Sequence, residues 1–204
     1  MVTRAVRTSF AGVAALVAVL IVVAAAGWAL ASPAIHQTAR TVPPTGERGR
    51  QAANPLAIAN LGPGGDRYAW VTAFPQVEGA GFLGTEEVGA YNRGGADAAR
   101  LAVWNGFPAG RVIIVVVRVA DASTATRVAD RLDELQAGFG LQRLSPVRGL
   151  DRVSTVTFEG RFVTRALYTH HDLVVRIELR GDPDELSAFD GIVSDQLHAL
   201  PAEG

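Results

Sequence analysis

Residues 10 to 31, FAGVAALVAVLIVVAAAGWALA, run for 22 positions without a charged side chain. No other stretch of the chain restricts the fold so severely, because a segment this apolar cannot be left in water. As an α-helix rising ~1.5 Å per residue it is about 33 Å long, enough to cross a bilayer hydrocarbon core of roughly 30 Å. Arg4 and Arg7 precede it and place the N-terminus on the cytoplasmic side, although Arg40, Arg48 and Arg50 beyond the segment weaken that bias. Ala29-Leu30-Ala31 before Ser32 has the small-x-small form of a signal-peptide cleavage site. The apolar run is longer than the ~7–15 residues usual in a signal peptide, which favours an uncleaved single-pass anchor over a secreted protein cleaved after Ala31. Both outcomes export the remainder of the chain.

From Ser32 to Asp66 the sequence is rich in proline, glycine and small polar residues and holds no sustained helix or strand period. Such a segment reads as a flexible tether. The expected organisation is therefore a transmembrane anchor over 1–31, a tether over 32–66 and an extracytoplasmic domain over 67–204. The chain has no cysteine, so the domain stands without disulfides, a lipidated cysteine or a cysteine-ligated metal. A net charge of −1 gives no footprint for nucleic acid, even though all 19 basic residues are arginine.

Within the domain, Arg111 to Ala120 (RVIIVVVRVA) is a β-branched run too short to cross a membrane, which predicts a central strand buried on both faces. It follows ARLAVWNGFPAGR, where Leu101 and Val103 alternate with Ala102 and Trp104 before a Gly/Pro-rich turn, the pattern of a hairpin. Ala125, Val128, Leu132 and Leu135 then lie at helical spacing behind a capping Asp121 or Ser123, with Gly138 past the end. A last helix is expected from Asp182-Pro183-Asp184-Glu185, with Leu186, Phe189, Val193, Leu197 and Leu200 as its stripe and Pro201 as its stop. Three strand candidates, VSTVTF, FVTRALY and LVVRIEL, fill the interval between the helices. The fold class implied is α+β: an antiparallel sheet with two helices packed on one face, preceded by the single transmembrane helix.

Two motifs invite chemistry. Gly79-Ala80-Gly81-Phe82-Leu83-Gly84 spells the G-x-G-x-x-G of dinucleotide-binding proteins, but that fingerprint needs a buried parallel strand before it and a helix after it. Pro75 interrupts the candidate strand, Gly89, Gly94 and Gly95 break the candidate helix, and the remainder of the chain runs into hairpins. A glycine-rich turn carrying Phe82 into the core is the better reading, and no cofactor is expected. His170-His171-Asp172 could bind zinc or move protons, yet adjacent residues of a strand point to opposite faces and no further histidine stands at useful spacing. A solvated hairpin tip explains the same residues. No G-x-S-x-G, P-loop or S-x-x-K occurs, so nothing positive points to an enzyme.

Turn lengths set the strand registers. With Glu159-Gly160-Arg161 as a three-residue loop, Ser154, Val156 and Phe158 share a face with Phe162, Thr164 and Ala166. A turn at His170-His171 adds Leu173, Val175, Ile177 and Leu179 to that face and puts Val163, Arg165 and Leu167 beside Val174, Arg176 and Glu178 on the other. Arg165 and Arg176 then face each other directly, which is unfavourable unless Glu178 or an external anion lies between them. Glu178 can supply the charge, with residues 67 to 96 folded over this face. Otherwise Arg165, Arg176 and Glu178 are the candidate site for a partner in the cell envelope or an anionic ligand.

VEGAGFLG, ARLAVWNGFPAGRVIIVVVRVADASTATRVADRLDEL, FEGRFVTRALYTHHDLVVRIEL and a terminal LHALP resemble uncharacterised exported α+β domains of actinobacteria, membrane-anchored or lipoprotein-like, over residues 77 to 201. This chain departs from the lipoprotein members in lacking the lipid-carrying cysteine, which leaves the N-terminal helix as its anchor. The resemblance implies no catalytic residues. The function expected is a non-enzymatic binding or scaffolding module held by one helix at the outer face of the cytoplasmic membrane. Its rivals are a cell-envelope hydrolase using His170, His171 and Asp172, and a sensor head, the latter weakened by the short segment from Met1 to Ser9.

Overall fold

A computed structural model describes residues 55–106, 110–158, 160–182 and 186–203. The apolar segment over 10–31, the tether as far as residue 54 and residues 183–185 of the expected Asp182-Pro183-Asp184-Glu185 helix start lie outside these. Six strands, β1 (Ala99–Asn105), β2 (Arg111–Arg118), β3 (Gln142–Arg143), β4 (Val153–Phe158), β5 (Arg161–His170) and β6 (Leu173–Gly181), form one sheet in the order β1-β2-β6-β5-β4-β3. Every neighbouring pair is antiparallel. Among the described residues four α-helices accompany it: α1 (Phe74–Ala80), α2 (Thr85–Arg93), α3 (Ala122–Gly138) and α4 (Leu186–Ala199).

The β-branched run behaves as its composition demands. In β2 every residue from Val112 to Val117 is fully buried, because β1 and β6 flank it and both faces of the sheet are covered. Val112, Ile114 and Val116 enter a core with Phe189, Ile192 and Val193 of α4, whereas Ile113, Val115 and Val117 enter a second core with residues of α1, α2 and α3. The expectation of two helices on one face is corrected accordingly: α3 and α4 lie on opposite faces. A stripe at helical spacing says that a helix has an apolar side, but a sheet buried on both faces offers two places to put it.

Residues 55–66, expected in the tether, partly belong to the domain. Ala59 and Leu61 are buried in the α4-side core. Gln196 of α4 fixes this segment, its side chain accepting from Ala59 N at 2.8 Å and donating to Ala57 O at 3.1 Å. Further along, Pro75 does not interrupt a strand; it sits in the first turn of α1, where its missing N–H costs nothing. Gln76 Oε1 accepts from Thr72 N at 2.7 Å and Ala73 N at 3.1 Å, capping that turn. Gly81, in the left-handed conformation at φ 74°, ends α1, and Gly84 opens α2 with its N–H bonded to Glu87 Oε2 at 2.8 Å. The G-x-G-x-x-G therefore joins helix to helix, and Phe82 packs against the core as expected.

Asp121 caps α3, accepting from Thr124 N and Ser123 Oγ, both at 2.7 Å; these bonds hold its carboxyl below the usual range. The helix continues through Gly138, and the left-handed glycine after it is Gly140.

Both hairpin registers differ from the expected ones. Phe158 pairs with Arg161, so the loop is the two residues Glu159-Gly160, and Val153 and Thr155 are the β4 residues that oppose Ala166 and Thr164. That one-residue slip exchanges the faces of β4. His170 pairs with Leu173, making the second turn His171-Asp172 with His171 at φ 53°. Moving this turn by one residue slides the partners by two, so the faces of β5 and β6 stand as expected while the opposing residues change.

Candidate functional site

Arg165, Arg176 and Glu178 do share one face, and the slide by two decides what they do there. Arg165 lies opposite Glu178, and Arg176 lies opposite Leu167. The expected confrontation of Arg165 with Arg176 does not occur. Arg165 Nε donates to Glu178 Oε2 at 2.5 Å, and Arg176 Nη2 donates to the same oxygen at 2.6 Å. Arg180, two residues further along β6 and so on the same face, donates to Glu178 Oε1.

A second carboxylate arrives from above the sheet. Glu87 of α2 keeps Oε2 on the helix N-terminus and presents Oε1 to Arg176 Nε at 3.3 Å and Arg165 Nη1 at 3.7 Å. Gln136 of α3 completes the ring: its Nε2 donates to Glu87 Oε1 at 3.2 Å and Leu132 O at 2.9 Å, and its Oε1 accepts from Arg165 Nη1. The network ties two strands to two helices. Residues 67 to 96 thus cover this face through Glu87 and the neighbouring Tyr91, as the burial of its valines required.

Burial alone would raise the Glu178 carboxyl, but Arg176, Arg165 and Arg180 together pull it down to about 2. Burial would lower the Arg176 guanidinium; Glu178 and Glu87 outweigh it and hold the charge. For Arg165, burial and the charge of Arg176 prevail and lower its pKa. Tyr91 is pushed up by burial, and its hydroxyl, like Arg176 Nη1, has no hydrogen-bond partner among the described residues.

Arg176 and Glu178 are both fully buried, whereas the side chains of Arg165 and Arg180 are 12% and 44% exposed. The cluster can therefore meet a ligand only at its Arg165 and Arg180 ends. The pleat places Arg180 beside Arg176 and Glu178, so its membership was readable from β6 alone. Glu87 and Gln136 were not, since they are 91 and 42 positions from Glu178 and nothing local announces the contact.

The histidines serve the hairpin tip. His170 is buried with its Nδ1 2.8 Å from Pro201 O, His171 N donates to Glu203 Oε2 at 2.8 Å, and the His171 ring meets the other oxygen of Glu203. Asp172 pairs with Arg118 Nε at 3.3 Å. Each member of the candidate triad thus has its own structural partner, and the described residues contain no group of three His, Cys, Asp or Glu able to hold a metal ion.

No family model and no curated protein matches the chain. Among solved structures it has a likeness to the extracellular domain of PknH from Mycobacterium tuberculosis, with 16% identity over 62% of this chain and 76% of that one, at a TM-score of 0.38. A likeness that slight transfers neither family nor activity, and the functional reading rests on the chain's own residues.

Proposed function

We propose that the protein is a non-enzymatic binding or scaffolding module, held at the outer face of the cytoplasmic membrane by residues 10–31 and presenting its α+β domain to the cell envelope. The observation that carries this reading is the 22-residue uncharged run behind Arg4 and Arg7. The hairpin-tip histidines and the buried ion pairs are engaged in joining strand ends and helices to the sheet, which argues against the rival hydrolase reading. Protease accessibility of spheroplasts and crosslinking in intact membranes test it together. Residues 32–204 are expected to be cleavable from outside while the N-terminus is protected, and a specific envelope partner is expected on the crosslinked full chain. Mature protein in the medium beginning at Ser32 would remove the anchor and keep only export.

A further inference from the structure

At one end of the sheet, the first residues of β2 and β5 and the last of β6 surround a cleft of about 630 Å³. Arg111, Arg161 and Arg180 all line it. Arg111 lies directly opposite Arg180 across β2 and β6, and Arg180 lies opposite Val163 across β6 and β5. Arg161 precedes Val163 by two, so the pleat puts all three arginines on the same face. Like charges placed this way repel unless an anion lies among them. Glu178 reaches Arg180 from the interior, but that carboxylate already serves Arg165 and Arg176. Asp182 is the single carboxylate among the described residues of the lining.

We propose that this cleft binds a phosphate-type oxyanion, gripped by Arg111, Arg161 and Arg180. The proposal rests on the binding-module reading and adds to it a site and a ligand chemistry. Two of the three guanidinium groups are already oriented: Asn105 Oδ1 accepts from Arg111 Nε at 2.8 Å, and Glu178 accepts from Arg180 Nε. Both contacts use Nε, the nitrogen that an end-on bidentate grip through the two terminal nitrogens does not need. With Arg161 as the third fork, the set suits a tetrahedral anion with several oxygens better than a planar carboxylate, which two forks already saturate. Gly110 shapes the wall. A Cβ there would stand 2.1 Å from Arg180 O, so only glycine lets residue 110 come this close to the backbone of β6.

The test titrates the full chain in neutral detergent at constant ionic strength with inorganic phosphate and, separately, with short-chain phosphatidylglycerol, following amide NMR shifts. Phosphate is expected to bind, and Arg161→Gln and Arg111→Gln are each expected to weaken it about tenfold or more. Arg131→Gln, on the outer side of α3, should leave it unchanged, and Asp182→Asn should tighten it by removing the competing charge. Retained secondary structure in each variant excludes unfolding as the cause. Tighter binding of the phosphatidylglycerol, lost in the same variants, assigns the site to a lipid headgroup, and tighter binding of inorganic phosphate assigns it to a soluble phosphoester. Equal binding by wild type and Arg161→Gln, or no binding beyond that of chloride, overturns the site. If phosphate fails while the crosslinked partner is still captured, the cleft is wrong and the binding-module reading stands.

Discussion

On the α4 side of the sheet the buried polar groups among the described residues include no carboxylate and no guanidinium. Gln196 bonds backbone at Ala57 and Ala59, the Tyr168 hydroxyl donates to Leu200 O at 2.7 Å, and the His170 ring meets Pro201 O. On the other side they are ions, with Glu87, Arg165, Arg176 and Glu178 enclosed among α2, α3 and the strands. A neutral hydrogen bond can be deleted at a cost of about 0.5–1.5 kcal/mol, whereas removing one member of a buried ion pair strands its partner and costs about 3–5. The ionic face is therefore the less forgiving of a deleted polar group. It also does something apolar packing cannot: sliding β5 against β6 by two residues keeps every side chain on its face but sets Arg165 against Arg176 in place of Glu178. Charge selects between registers that hydrophobicity treats as equal.

The largest effect that can break this contrast is a buried carboxylate. Val116→Asp enters the α4-side core, which holds no arginine among its described buried residues, and is expected to abolish cooperative unfolding in urea. Val115→Asp instead lies opposite Arg176, whose Nη1 has no partner among the described residues, and should keep a transition at a lowered midpoint. Equal behaviour of the two would erase the difference between the faces. Next in size, Glu178→Gln should cost about 3–5 kcal/mol in urea denaturation, against about 1–2 for Gln196→Ala on the neutral face.

Acid sharpens the same point. Because the Glu178 carboxyl is held at about 2, below its ordinary 4.5, its contribution is present above about pH 4.5 and is lost as pH falls toward 2. The melting temperature should therefore drop across that window. Glu178→Gln should flatten this limb, and Gln196→Ala should leave its shape intact. The smallest expectation is an unchanged value: zinc or a chelator should not move the melting temperature of the parent or of the variant combining His170→Ala with His171→Ala. A chelator-dependent fall in the parent alone would make the hairpin tip a metal site.

How far the sequence could be read follows from what each signal encodes. The buried strand β2 was legible because six consecutive β-branched residues can satisfy themselves only between two covered faces. Parity along β5 and β6 was legible for the same reason. Register was not, since both hairpins turned one residue away from where the histidines and Glu159-Gly160-Arg161 suggested, though the charges at 165, 176 and 178 held the information needed for β5 and β6. Helices α1 and α2 were hidden by Pro75, Gly79 and Gly89, which punctuate local pattern, while the caps at Gln76, Gly81 and Gly84 define the elements in three dimensions. The ionic cluster was half visible: its strand members obey a period of two, and its helical members depend on the tertiary fold.

The seam formed by residues 57–62 also has a mechanical meaning. Any tension on the chain ahead of residue 55 enters the domain where Ala57 and Ala59 bond to Gln196 and where Trp104 Nε1 donates to Gly62 O at 3.1 Å. Those few bonds carry the load before it reaches the sheet. The burial of Ala59 and Leu61 in the α4-side core adds to them, so a pull from this direction meets side-chain and core contacts before the strand ladder.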